Sequence, residues 1–136
     1  MMEYALEAIS QSSPETNLIA VTILTSLDND DLSIMGIDIS TKNLVSNLAK
    51  LAKESGLSGV VCSSEEIKMV RESCGNNFKI IVPGIRPEGS NKNDQKRVMT
   101  PKEAIILGAD HIVIGRPITE SKDPKNTAIE IVNSIK

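Results

Sequence analysis

Apolar runs rich in β-branched residues recur at positions 18–24, 59–62, 79–82 and 111–114. Each has the length and composition of a short buried strand. Between them the pattern turns helical: Leu44, Val45, Leu48, Leu51 and Ala52 set one apolar stripe on a helix over about 41–55. Gly56 follows where a helix stop is needed. Ser63 to Glu66 and Thr100 to Glu103 have the spacing of a capping box, in which each side chain satisfies the other residue's orphan backbone N–H. Pro101 stands at the first helical position of the second box, where its missing N–H costs nothing. Asp123-Pro124 opens a last helix whose Ala128, Ile129, Val132 and Ile135 are expected to share a face. Residues 1–12 read as a leading helix without a strand of its own.

Four strand-helix units in strict alternation, over about 18–136, predict an α/β fold with parallel strands joined by right-handed crossovers. All strand C-terminal ends then lie on one face, with the loops at 24–26, 62–64, 83–100 and 115–117. Ligands bind on that face in open α/β sheets and in barrels. A closed (β/α)8 barrel takes about 250 residues. The 136 residues are therefore expected to form a single partial domain, 1–136, half of such a barrel. No strong internal repeat, low-complexity tract or linker divides it.

Composition narrows the function. Aromatic residues make up 1% of the chain and the net charge is -3. Neither base stacking nor a polyanion-binding surface is available, so nucleic acid is not an expected partner and any anion site must be local. Cys62 and Cys74 are the two cysteines, without the histidine spacing of a metal site. Glu3 falls where a signal peptide would be basic, and no apolar run reaches the roughly 18 residues of a membrane span. A soluble cytoplasmic protein with no membrane partner is the expectation.

The segment 83–100 is long for a strand-to-helix loop, where about 2 to 6 residues is typical, and such loops act as lids or ligand clamps or are disordered. It starts PGIRPEG, with Arg86 held between Pro83 and Pro87. A restrained guanidinium suits an oxyanion, and it equally suits a neighbouring carbonyl or carboxylate. Lys92, Asp94, Gln95 and Lys96 then form a solvated charged turn on the plainer reading. Gly115-Arg116-Pro117 follows the fourth strand directly, so backbone N–H groups and a guanidinium can converge on one phosphate. The alternative is a tight exit turn with a rim salt bridge. Thr25 and Ser26 end the first strand and can donate to a ligand or simply make a turn. His111 begins a strand on the opposite face and is given no role. Cys62 and Cys74 read as small buried hydrophobes, and no nucleophile paired with a base is evident.

Taken in order, the segments MMEYALEA from Met1, AVTILTS from Ala20, GLSGVVCS from Gly56, PGIRPEGSNKNDQKRVMTP from Pro83 and GADHIVIGRPIT from Gly108 resemble the bacterial orotidine 5'-phosphate decarboxylases over nearly the whole chain. The resemblance implies the C-terminal half of a TIM (β/α)8 barrel. It also implies a cytoplasmic homodimer converting orotidine 5'-phosphate (OMP) to UMP in de novo pyrimidine biosynthesis, without a cofactor or metal. Carried over by motif, Arg86, Gln95, Gly115 and Arg116 would hold the phosphate, with Gln95 in a closing loop, and Thr25 would line the nucleotide site.

One departure is large. The Asp-x-Lys-x-x-Asp motif that carries the chemistry in that family is absent. Asp94 to Lys96 continues to Met99 and Asp123 to Lys125 continues to Ala128, so neither supplies the second aspartate. No catalytic residue is assigned. The resemblance therefore implies a truncated part, inactive alone, whose activity would need a complementing N-terminal half. A non-catalytic nucleotide- or phosphate-binding half-barrel, or a decayed gene product that dimerises to cover its edges, is the alternative. A phosphosugar isomerase is a more distant one, which the PGIRP loop argues against.

Overall fold

The computed structural model describes residues 1–87 and 99–136. Strands β1 (Ile19–Val21), β2 (Gly59–Val61), β3 (Lys79–Val82) and β4 (His111–Ile112) form one parallel sheet in the order β1-β2-β3-β4. The helices are α1 (Met2–Ser12), α2 (Asn29–Ile34), α3 (Thr41–Glu54), α4 (Ile67–Cys74), α5 (Pro101–Ile106), α6 (Arg116–Thr119) and α7 (Pro124–Ser134), with a 3-10 turn at Ser64–Glu66 before α4. The alternation expected from the sequence is present, and the sheet is half of a (β/α)8 barrel.

The ladders are shorter than the apolar runs because the run ends peel away into the rim loops. One further bond prolongs each pairing: Thr22 N–H to the Val61 carbonyl, Cys62 N–H to Ile81 and Val113 N–H to Val82. One face of the sheet carries Val60, Cys62, Ile80 and Val82. These are sealed by Val45, Ala49 and Ala52 of α3, Ile67, Val70 and Cys74 of α4, and Ala104 of α5. The alanines let α3 approach closely, and the buried line runs 45-49-52, leaving Leu51 exposed. On the last helix, Ile131 rather than Ile129 or Val132 turns inward. Spacing alone does not phase that helix, because Ile131 and Val132 are adjacent in sequence.

The described residues leave the other face of the sheet uncovered. Val21 is 60% exposed, Val113 is 51% exposed, Lys79 and His111 are exposed, and Val61 and Ile81 are half-buried between them. Burial on both faces, expected from the continuous apolar runs, is thus met on one face only. In a closed barrel the second face would line the interior.

Both predicted capping boxes form. Ser63 N–H and hydroxyl donate to the Glu66 carboxylate, the former at 2.8 Å. Glu103 N–H reaches Thr100 Oγ1 at 3.3 Å while Thr100 N–H reaches Glu103 Oε2 at 3.0 Å. A third box, at Asp28 and Asp31, starts α2. Its aspartates stand where the usual pattern has a hydroxyl and a glutamate, which hides it in the sequence.

At the strand N-terminal ends, Arg71 forms a staple. Its Nη1 donates to the carbonyls of Gly75, Asn76 and Phe78 at 2.8, 3.1 and 2.7 Å. Its Nη2 donates to the Gly108 carbonyl at 2.6 Å and to Asp110 Oδ2 at 2.7 Å. Asp110 also accepts from Ile80 N–H at 2.8 Å, so one ion pair fastens the end of α4 to the starts of β3 and β4. Partial burial pushes the Asp110 carboxyl up, but the Ile80 N–H, the Arg71 guanidinium and the Lys79 ammonium outweigh it and hold the group below the usual carboxylate range.

Candidate phosphate and nucleotide site

The parallel sheet brings the four strand C-terminal ends to one rim, and the sequence-predicted residues among the described ones lie along it. After β1 the chain turns through 22–27, closed by a bond from Leu27 N–H to the Leu24 carbonyl. Thr22 is tied to the neighbouring strand through its hydroxyl, 2.8 Å from the Val61 carbonyl. This turn holds half-buried Thr25 over a cavity of about 290 Å³, lined also by Val21, Ile23, Leu24, Ser26, Val61, Cys62 and Pro83. Its lining is mostly apolar, with Thr25 and Ser26 as the hydroxyl-bearing residues, a composition usual for small-molecule pockets.

Cys62 and Pro83, which the sequence places at the strand ends of this rim without a ligand role, also line the cavity. Cys62 is buried, as expected of a small hydrophobe, and so is Cys74.

After β3, Gly84 takes φ +75, a conformation open to glycine at little cost, and this turns the chain so that Ile85 and Arg86 point into the protein. Arg86 N–H donates to the Met99 carbonyl at 3.0 Å, which ties the start of the 83–100 loop to its end. Arg86 is 7% exposed, and its Nη1 donates to the Ile85 carbonyl at 3.0 Å. That bond is the plainer of the two roles the sequence allowed. Nε, however, is buried and has no hydrogen-bond partner among the described residues. Leaving a charged donor unsatisfied costs more than leaving a neutral one, and an anionic oxygen is the acceptor that would best restore the loss.

After β4, Gly115 has φ -104 and ψ -94, and a side-chain carbon there would meet nothing within 4 Å, so its backbone is open to an approaching ligand. Arg116, half-buried, is the first residue of α6, whose turn is closed by Ile118 and Thr119 N–H on the Gly115 carbonyl. Because β3 and β4 are paired neighbours in parallel register, Arg86 and the Gly115-Arg116 pair leave the sheet at adjacent points of the same rim. Neither arginine lines the cavity beside Thr25. Gln95, Lys92, Asp94 and Lys96 lie outside the described residues.

His111 is exposed on the far rim, and Asp123, expected to open the last helix, caps α7 through Asn126 N–H at 3.0 Å. Among the described residues no cluster of three or more His, Cys, Asp or Glu side chains could hold a metal, and no helix is long and apolar enough to cross a membrane.

The family model described as "Orotidine 5'-phosphate decarboxylase / HUMPS family" matches residues 1–131. The chain belongs to that family. A curated orotidine 5'-phosphate decarboxylase from Idiomarina loihiensis is 49% identical over 135 residues, 99% of this chain and 58% of the relative. Among solved structures, the orotidine 5'-phosphate decarboxylase of Lactobacillus acidophilus superposes with a TM-score of 0.83 at 35% identity, covering 100% of this chain and 58% of the other. An uncharacterized conserved protein from Geobacillus kaustophilus gives 0.79, with the same identity and coverage. The Pyrococcus horikoshii decarboxylase, at 23% identity and a TM-score of 0.66, shares the fold, over 95% of this chain and 55% of its own. The chain thus spans somewhat over half the length of the family members it matches.

Proposed function

We propose that this chain forms the phosphate-binding side of an orotidine 5'-phosphate decarboxylase site, binding OMP or UMP without turning over substrate by itself. The observation that carries the reading is the buried Arg86 guanidinium with an unsatisfied Nε, on the rim adjacent to Gly115 and Arg116 in a member of this family. Arg116 would grip the phosphate through its planar fork, the Gly115 backbone would approach it closely, and Arg86 would supply charge from beneath. Thr25 would face the nucleoside across the adjoining cavity. Gln95, carried over by motif, would act from the loop that closes on the phosphate.

Phosphate binding then serves catalysis from a distance. Binding energy from a group that does not react can be used to close a loop and order the reacting centre. The reacting centre itself would need the Asp-x-Lys-x-x-Asp constellation, absent from the sequence, since preorganised charges at the site of bond change are commonly the largest catalytic term. A cytoplasmic assembly is part of the proposal, either a homodimer or a complex with a complementing half that restores this constellation.

Calorimetric titration with UMP tests the reading. The Arg116→Ala variant should bind about 100-fold more weakly, the loss of two charge-assisted hydrogen bonds. OMP turnover by the chain alone should be undetectable. Equal affinity of both forms for UMP, or no binding by the unaltered chain, would remove the phosphate site; turnover by the chain alone would refute the assignment of the missing chemistry.

A further inference from the structure

Two buried side-chain polar atoms lack a hydrogen-bond partner among the described residues, and both belong to this rim: Arg86 Nε and Ser64 Oγ. Such orphans are uncommon in folded chains, and a bound ion is one of the few things that accounts for them. Their strands are direct neighbours. Val61 pairs with Ile81, and Cys62 N–H donates to the Ile81 carbonyl, so counting on along β2 and β3 brings Ser64 level with Gly84, two residues before Arg86. Ser64 is 2% exposed and Arg86 7%, although each lies past the end of its strand.

The preceding serine is a contrast within the same turn. Ser63 donates both its N–H and its hydroxyl to the Glu66 carboxylate. The Ser64 hydroxyl, one residue on in the 3-10 turn, donates to nothing described. Nor does any carboxylate among the described residues form an ion pair with Arg86. A buried cationic donor and a buried hydroxyl on adjacent strand ends, both unused, are complementary to one kind of group. That group is an oxygen that carries negative charge and has lone pairs for two donors. A neutral oxygen would leave the guanidinium charge uncompensated.

From this pair of orphans we infer that Ser64 is a further ligand contact, its hydroxyl donating to the same phosphate oxygen as Arg86 Nε. The inference rests on the proposed reading of Arg86 as a phosphate residue and extends it, because the grip then spans the ends of β2, β3 and β4. Cys62, two residues before Ser64, lines the cavity beside Thr25, so the turn after β2 borders both the nucleoside cavity and the phosphate. Without ligand, each unsatisfied donor lowers the stability of the fold. Removing the Ser64 hydroxyl therefore weakens binding without weakening the fold, the opposite of what removal of a bonded hydroxyl does.

Ser64→Ala and Ser63→Ala, compared by calorimetric titration with UMP and by thermal melts without it, test the inference. Ser64→Ala should bind UMP about 10-fold more weakly, the loss of a hydrogen bond to a charged group. It should melt no lower than the unaltered chain, because the hydroxyl it removes has no partner in the fold. Ser63→Ala should do the reverse, melting roughly 4 °C lower with its UMP affinity nearly unchanged. Equal UMP affinity of Ser64→Ala and the unaltered chain would overturn the inference and leave the phosphate site standing. A melting temperature that falls in Ser64→Ala as it does in Ser63→Ala would overturn it too, by showing a structural role. Absence of UMP binding by the unaltered chain would remove the phosphate reading and this inference together.

Discussion

Arg71→Ala should lower the stability of this chain by about 3 kcal/mol, seen as a melting temperature roughly 10 °C below that of the unaltered protein. The side chain donates five hydrogen bonds, four of them to carbonyls and one to Asp110, and joins the end of α4 to the starts of two strands. Removing it strands a partly buried carboxylate as well as four acceptors. Breaking a pair from one side is the costly direction, because the remaining charge keeps its desolvation penalty.

Acid should erase much of the difference. The Asp110 carboxyl is held below its ordinary value in the fold, so its contribution is present above the unfolded-state pKa, about 3.9, and disappears as pH falls through the lower folded value. Denaturant melts at neutral pH and at successive points below about pH 4 should show the gap between Arg71→Ala and the unaltered chain shrinking. A gap that stays constant across that window would remove Asp110 as the partner that matters.

The second large effect is expected at Gly59. It pairs with Ile19 on one side and Lys79 on the other, in the middle of the sheet. A side-chain carbon at this position would fall on the Lys79 carbonyl oxygen and 2.6 Å from Lys79 Cβ, so the backbone of β3 itself would have to shift. Gly59→Ala is expected to cost about 3 kcal/mol, at the upper end of overpacking penalties because no rotamer change relieves a clash with main chain. Gly115→Ala is the matched control. Its added carbon meets nothing within 4 Å, so thermal stability should fall much less than in Gly59→Ala. Similar melting temperatures for the two variants would contradict the close approach of β2 and β3.

These residues show why some of the molecule could be read from the chain and some could not. Strand positions and helix starts follow from local chemistry, such as apolar runs, S-x-x-E and T-P-x-E boxes and Asp-Pro, and the structure bears them out. Phase within a helix depends on what packs beside it, which is why Leu51 and Ile129 are exposed although their spacing fits a buried stripe. The Arg71 staple was not foreseen, since the two partners that tie it to β4, Gly108 and Asp110, are 37 and 39 residues away and no short pattern links them. At the candidate site, the rim placement of Thr25, Arg86, Gly115 and Arg116 was legible from the order of strands and loops. The cavity wall made by Cys62 and Pro83 was not, because their meeting with Thr25 depends on parallel register across three strands.

β4 has the Arg71-bound Asp110 immediately before it and Gly115 a few residues past its end, roughly 15 Å apart along an extended chain. One short strand therefore connects the part that keeps the protein folded to the part proposed to meet a ligand, with little shared machinery between them. A lineage could retune or lose recognition at one end of that strand while the ionic lock at the other end continued to preserve the architecture.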